Sequence, residues 1–407
     1  MELRHKNWIT FTPVAFRGDE QTFFSRDSGL CCRALQALGG RVRAVMPEPA
    51  WDDEPDVLRV PYRQLSDRSF WRLSHADAVI SYSWGYPEYA PIVGAIKEGG
   101  PKLFLNLDTT GVISPFVRPA AYIQSMFWYE RQQKSGFLRG SLGALARSAW
   151  HGVTLRRDLL RLRHMSCADA VGVVSPIAAE RVRRYAHCFG RNDIARKIHY
   201  VPHPVDPAMH YKGCAKQAAV IAVGRWDDRF QKRPEVLVEV AARVLSQRPD
   251  ARFIIAGKDA VRYAGEIAGT APGAHDRVVG YERLEHDQLC RHMSLCQVAL
   301  CTSRYESFHI ASGEALLCGC CIVAPRSPHL PSFPYFSDDG RSGRIAEDNV
   351  AALADTVLAE LDAWRNGKRD PAASAHMWQG RIGARAVARQ IDALLSLSKS
   401  AAPGGAA

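Results

Sequence analysis

The run Ala219-Val220-Ile221-Ala222-Val223 leads straight into Gly224-Arg225-Trp226-Asp227-Asp228-Arg229-Phe230-Gln231-Lys232-Arg233-Pro234. Five apolar residues with no polar interruption suit a strand covered on both faces, as in a parallel sheet packed between helices. Beyond them Val236, Leu237, Val240, Ala241, Val244 and Leu245 recur at three- and four-residue spacing, which predicts a helix over 231–248 closed by Pro249-Asp250. A second apolar run over 252–256 stops at Gly257-Lys258-Asp259. Strand, helix and strand in this order make a parallel βαβ unit.

The same alternation fills the chain, with strand-like runs at 42–45, 78–81, 103–107, 170–174, 198–201, 220–223, 252–256, 277–279, 298–301 and 321–324, each followed by a helical pattern. A length of 407 residues implies two domains or three at roughly 150 residues each. Val201-Pro202-His203-Pro204-Val205-Asp206-Pro207 carries three prolines in seven residues, continues neither strand nor helix, and reads as a hinge. The expected organisation is α/β throughout: a domain over 1–205, a second over 206–380, a terminal helix over 381–398 returning to the first domain, and a disordered Gly/Pro-rich tail over 399–407.

Hydrophobic residues at 47% and charged residues at 23% exclude a disordered or fibrous chain. The eleven cysteines are scattered without a CxxC, which excludes a zinc ribbon and a disulfide framework. Met1-Glu2-Leu3-Arg4-His5-Lys6 is not the start of a secretory signal, and no apolar stretch reaches spanning length, so a cytoplasmic setting is expected. Of the net charge of +11, residues 101–200 contribute almost all, with 16 basic and 6 acidic side chains. Across 139–163, Arg residues interleave with Leu142, Leu145, Trp150, Leu155, Leu159, Leu160 and Leu162. Two readings stand: amphipathic helices lying peripherally on an anionic membrane surface, or a solvated helix face over the first domain's core. No nucleic-acid motif accompanies the charge, and no nucleic-acid partner is expected.

In open α/β sheets ligands bind beyond the carboxyl ends of the strands. Three such loops in the second half carry polar groups that can converge. The first holds Gly224, Arg225 and Lys232, and the second Gly257 and Lys258. The third, Thr302-Ser303-Arg304-Tyr305-Glu306-Ser307-Phe308-His309-Ile310-Ala311-Ser312-Gly313-Glu314, enters a helix starting near 311–313 and places Glu314 in its first turn. Arg and Lys offer a diphosphate several donors, and a helix start adds unpaired N–H groups. Carboxylates accept hydrogen bonds from the hydroxyls of a ribose or a sugar. In the first half, Ser81-Tyr82-Ser83-Trp84-Gly85-Tyr86 follows a strand and concentrates aromatics, whose faces stack on sugar rings or simply pack.

The Gly-Arg after the strand with a Lys beyond it, and the Glu306 to Glu314 element running into Ala315-Leu316-Leu317-Cys318-Gly319, resemble the retaining, nucleotide-sugar-dependent GT-B glycosyltransferases of the group 1 (family 4) superfamily. Ala168-Asp169-Ala170-Val171-Gly172-Val173-Val174-Ser175 and the proline-rich segment add weaker matches, so the likeness covers most of 165–362. It implies two Rossmann-like domains whose parallel sheets face each other across a cleft, and hexosyl transfer from a nucleotide-diphosphate sugar to a glycan, lipid-linked or small-molecule acceptor, with no metal and no further cofactor. Arg225, Lys232 and Glu306 would be catalytic, the first two on the diphosphate and Glu306 on the donor sugar. Glu314 would hold the ribose, with Gly224, Ser307, Phe308, His309, Ile310, Gly257 and Lys258 lining the donor pocket. Ser28 and Gly29, before a helix over 30–38, stand where the family has a glycine-rich loop. Trp84, Tyr86 and Asp108 would meet the acceptor; Asp108 occupies the place where many relatives carry a His. A binding protein of the same fold without catalysis is the alternative.

Overall fold

The computed structural model describes residues 6–16, 23–25, 27–48, 56–132 and 137–397. The chain separates into two units, Met1–Pro204 with Ala384–Ala407, and Val205–Gly383. The first is built on seven strands: β1 (Asn7–Phe11), β2 (Arg41–Pro47), β3 (Val57–Val60), β4 (Ala78–Tyr82), β5 (Lys102–Leu107), β6 (Ala170–Val173) and β7 (Ile198–Tyr200), in the spatial order β3-β2-β1-β4-β5-β6-β7. The second has β8 (Gln217–Val223), β9 (Arg252–Ala256), β10 (Val278–Tyr281), β11 (Cys296–Leu300), β12 (Cys321–Pro325) and β13 (Gly343–Ala346), in the order β10-β9-β8-β11-β12-β13. The registered pairs in both sheets are parallel.

This topology decides where chemistry is possible. All strands of a parallel sheet end at one edge, and the order reverses between β1 and β4 in the first sheet and between β8 and β11 in the second. Such a reversal opens a crevice, because the connections on its two sides leave in opposite directions. The continuous apolar strands are buried as their composition requires: Val220, Ala222, Phe253, Ile255, Val298 and Leu300 share one core with the helix residues Leu237, Val240, Val244 and Leu245.

Several element boundaries differ from the sequence reading. The helix expected over 231–248 is two helices, Arg229–Lys232 and Pro234–Gln247, separated by Arg233 in the left-handed region (φ 52°). Pro234 cannot continue a helix but opens one well, since the first turn has no partner for its N–H. The helix expected over 30–38 spans Asp27–Gln36, which puts Ser28 and Gly29 inside its first turn rather than in a loop. Gly29 is there for packing, because a Cβ would lie 2.3 Å from the Phe23 carbonyl oxygen. The terminal helix spans Ala384–Leu397 and returns to the first unit, where Val387, Ala388, Ile391 and Leu395 pack with Trp8, Leu35 and Phe104. The preceding helix, Pro371–Ile382, belongs to the second unit. The tail over 399–407 and the side chain of Arg139 lie outside the described residues.

Candidate functional site

The second unit gathers its polar groups at the β8/β11 reversal. Asp228 caps the short helix after β8 by accepting from the Gln231 N–H (3.1 Å), and that turn carries Lys232 inward. The loop after β11 receives it: Thr302 Oγ donates to the Lys232 carbonyl (2.7 Å), Gln231 donates to the Tyr305 carbonyl (3.1 Å), and the Arg304 N–H donates to the Gln231 carbonyl (2.7 Å). The Glu306 N–H is held by the His329 carbonyl (2.9 Å). The two backbones are thus fastened to each other, and Lys232 Nζ lies 2.5 Å from Glu306 Oε1, both side chains largely buried. Arg233, in contrast, is committed elsewhere, to the Thr302 carbonyl and to Asp348 (2.7 Å).

His309 stands beside this pair. Its ring is buried, shares a hydrogen bond with Ser312 Oγ (2.7 Å) and packs near Phe333. Burial, reinforced by the Lys232 charge and opposed by Glu306, pushes its pKa down to about 4, so the imidazole is neutral at pH 7. Burial also lifts the nearby Cys301 thiol to about 11, with the Glu306 charge adding to it, so this sulfur stays protonated.

The helix after the loop spans Ile310–Leu317, beginning at Ile310 rather than at 311–313. Glu314 is its fifth residue, so it lies in the second turn and not the first. It is buried on the helix, 3.8 Å from His286 Nε2, and the other nitrogen of that ring lies 3.6 Å from Asp206. His286 was not singled out by sequence; it opens a helix far along the chain from Glu314 and carries no motif. Of the other loop residues, Ser307 accepts from Ser332 through its carbonyl, and Phe308 is buried edge-on to Phe336.

Gly224 and Gly257 are brought together. Gly257 sits at φ +113°, and a Cβ on it would lie 2.0 Å from the Gly224 carbonyl oxygen, so only glycine fits this crossing of two strand ends. Arg225, immediately after Gly224, is 73% exposed, with Asp228 at 3.9 Å as a loose partner. Lys258 is exposed and paired with Asp227 (2.9 Å).

In the first unit the sheet edge carries a second group. Trp84 is held in the left-handed region (φ 52°) by a tight turn closed from the Tyr86 N–H to the Ser83 carbonyl (3.1 Å), and its ring lies 6.2 Å from that of the exposed Tyr86. Asp108, directly after β5, has one oxygen 3.2 Å from His203 Nε2, while Asp27 lies 3.9 Å from the other ring nitrogen. His203 is buried and stacked on Tyr82. Burial opposes its charge, but the Asp108 carboxylate and, more weakly, Asp27 outweigh that and raise its pKa to about 9.

Two parallel Rossmann-like sheets and a terminal helix returning to the first define the GT-B fold. Solved structures agree along the whole chain: a glycosyltransferase from Rickettsia africae (TM-score 0.62, 13% identity, 98% of this chain and 100% of that one), sucrose-phosphate synthase from Thermosynechococcus elongatus (0.59, 16%, 98% and 100%) and Anabaena HepE in complex with UDP (0.62, 14%, 96% and 100%). Residues 217–362 match the family described as Glycosyl transferases group 1. Among curated proteins, GDP-mannose:cellobiosyl-diphosphopolyprenol alpha-mannosyltransferase of Xanthomonas campestris is 30% identical over 35% of this chain and 39% of its own length. D-inositol 3-phosphate glycosyltransferase of Mycolicibacterium smegmatis is 27% identical over 48% of this chain and 44% of its own length. The matches therefore span under half of either curated relative.

Proposed function

We propose that the protein is a retaining glycosyltransferase that moves a hexosyl group from a nucleotide-diphosphate sugar to a glycan, lipid-linked or small-molecule acceptor, without a metal, in the cytoplasm. The observation that carries this reading is the Lys232–Glu306 pair at the reversal of the second sheet. A diphosphate sugar presents anionic oxygens and ring hydroxyls a few atoms apart, and the pair offers an ammonium donor and a carboxylate acceptor side by side. Gly224 and Gly257 let the adjoining strand ends pack against each other, which fixes the start of the loop carrying Arg225.

In this reading Arg225 and Lys232 hold the diphosphate, Glu306 the sugar hydroxyls and Glu314 the ribose, with Ser307, Phe308, His309, Ile310 and Lys258 shaping the pocket around them. As the bond from the anomeric carbon to the β-phosphate oxygen breaks, negative charge grows on the phosphate, which Lys232 meets from within the site and Arg225 from its solvent side. The acceptor hydroxyl attacks the same face of the oxocarbenium-like centre, and its proton passes to the departing phosphate. Neutral His309 adds no further positive charge to the pocket. Trp84, Tyr86 and Asp108 serve the acceptor. The names of the curated relatives support a nucleotide-sugar donor and acceptors that are lipid-linked or phosphorylated.

The test is a thermal-shift screen of the full chain against UDP-, GDP- and ADP-sugars, with EDTA present. One donor class is expected to raise the unfolding temperature, and the shift should vanish in the double variant Lys232→Met with Glu306→Gln, which leaves no buried charge unpaired. Product NMR with that donor should then show a retained anomeric configuration. No shift with any donor overturns the reading, and an inverted product overturns its stereochemistry. Tight binding with no donor hydrolysis or transfer would make the chain a binding protein.

A further inference from the structure

A helix on the surface of a water-soluble unit normally turns its apolar side inward and its polar side to solvent. The helix Phe137–Thr154 does the reverse. Its buried side consists of Gly140, Ala144, Ser148 and His151, which are small or polar. Its outward side carries Leu142 (68% exposed), Leu145 (53%), Trp150 (68%) and Val153 (81%), with Ala146 and Ala149 exposed among them. At 3.6 residues per turn these six fall within an arc of about 140°. Among the described side chains that arc contains no polar group.

The helix is not loosely placed. His151 Nδ1 lies 2.5 Å from the Tyr122 hydroxyl, and Arg147 forks onto Glu130 at 2.6 and 2.9 Å, so the polar side anchors it to the helix Pro119–Gln132. The helix Arg156–Ser166 follows, with Leu159 58% exposed and Arg156, Arg157 and Arg163 in solvent. Residues 131–168 contain eight Lys or Arg and one acid, Asp158, which is buried.

We infer that this face docks on an anionic lipid bilayer, with Leu142, Leu145, Trp150 and Val153 entering the headgroup boundary and the arginines meeting the lipid phosphates. The charge selects the occupant. A second copy of the chain would bring the same exposed Arg156, Arg157 and Arg163 with no exposed acid on their helix to answer, and a purely acidic surface would leave the leucines and the tryptophan in water. A bilayer of anionic lipid offers hydrocarbon and negative charge in adjacent layers, the combination that holds interfacial amphipathic helices. Attachment would be by one face alone, for no helix among the described residues is long and apolar enough to cross a membrane. This inference concerns a different surface from the donor pocket and does not depend on the transferase reading.

The experiment is co-sedimentation of the full chain with vesicles of phosphatidylglycerol and phosphatidylcholine, and of phosphatidylcholine alone, at low and high salt. Binding is expected on the anionic vesicles, weakened by salt. Leu145→Glu and Trp150→Glu should each weaken it on the order of tenfold or more, a change of about 1.4 kcal/mol per decade, with the unfolding temperature kept because both side chains point outward. Arg156→Glu with Arg163→Glu should markedly reduce the salt-sensitive part. Bromine-labelled lipid should quench the tryptophan fluorescence, and less so in Trp150→Phe. No sedimentation with anionic vesicles at low salt overturns the inference. So does a dimer by light scattering that Leu145→Glu converts to monomer, which would make the face a contact between copies.

Discussion

Lys232 Nζ and Glu306 Oε1 approach to 2.5 Å although 74 positions separate them in the chain, and neither side chain has much water around it. Removing one member therefore strands a charge. Lys232→Ala is expected to cost on the order of 3–5 kcal/mol of stability as well as transfer. Lys232→Met combined with Glu306→Gln removes both charges, so it should recover most of the stability while remaining inactive. Urea unfolding midpoints and turnover numbers check this; a double variant that still transfers sugar would remove the pair from the reaction.

Arg225 separates the two effects. It is mostly solvated and its partner Asp228 is at 3.9 Å, so the pair contributes little to folding. Arg225→Ala should leave the unfolding temperature unchanged and lower turnover by roughly 10²–10³-fold. An unaltered rate would mean that the exposed guanidinium never reaches the leaving phosphate.

Gly257→Ala tests the scaffold under the same loop. The new Cβ would collide with the Gly224 carbonyl oxygen and would sit at φ +113°, so the strand ends must part. Stability should fall by about 1–3 kcal/mol, and donor affinity should fall with it even though no charged group is touched. A variant that is less stable but binds donor normally would show that Arg225 does not depend on this crossing.

How much of this was legible beforehand follows from which signals are local. The buried stretches 219–223 of β8, 253–256 of β9, 298–300 of β11 and 321–325 of β12 are apolar without interruption, and the sequence marks each of them. β3 and β13 are edge strands carrying Arg59 and Arg344, so their pattern breaks, and in β1 Asn7 and Thr10 interrupt the apolar run although Trp8, Ile9 and Phe11 are buried. The residue types of the candidate site were readable because strand ends and helix starts advertise themselves. Their pairing was not. Lys232 meets Glu306 through the contact of Thr302 with the Lys232 backbone, Arg225 turns outward, and Glu314 finds His286, all consequences of tertiary packing. In the same way, interleaved arginines and leucines over 139–163 allowed two readings; Leu142, Leu145, Trp150 and Leu159 face out, whereas Leu162 is buried in the first unit's core.

The His203–Asp108 pair gives an alkaline signature. The folded pKa of His203 is raised to about 9 against the ordinary 6.5, so its contribution is complete below 6.5 and is lost as pH climbs through 9. The shift corresponds to about 3 kcal/mol. Asp108→Asn should lower stability at pH 7 and flatten the loss between pH 7 and 9, read from unfolding midpoints across that range. A steep alkaline loss that persists in Asp108→Asn would assign it to other groups.

Two buried imidazoles contribute strongly on the acid side. His309, against Ser312, and His164, whose ring nitrogens lie 3.0 Å from the Ser83 hydroxyl and 3.0 Å from the Tyr86 carbonyl, both have pKa values pushed down to about 4 by burial. The unfolded chain takes up these protons near pH 6.5 and the folded chain does not, so stability is complete above 6.5 and declines as pH falls toward 4. Each histidine accounts for about 3 kcal/mol of that decline. His309→Gln should make the acid limb shallower, and His309→Gln with His164→Gln shallower again. Donor binding supplies the discriminating readout: the folded imidazole takes its proton only near pH 4, so between pH 7 and 5 the fold weakens while His309 stays neutral and leaves donor affinity unchanged. Calorimetric titration of the donor from pH 7 to 5 in the wild type and in His309→Gln checks this, and an affinity that climbs with falling pH in the wild type alone would show that the imidazole takes up its proton well above pH 4.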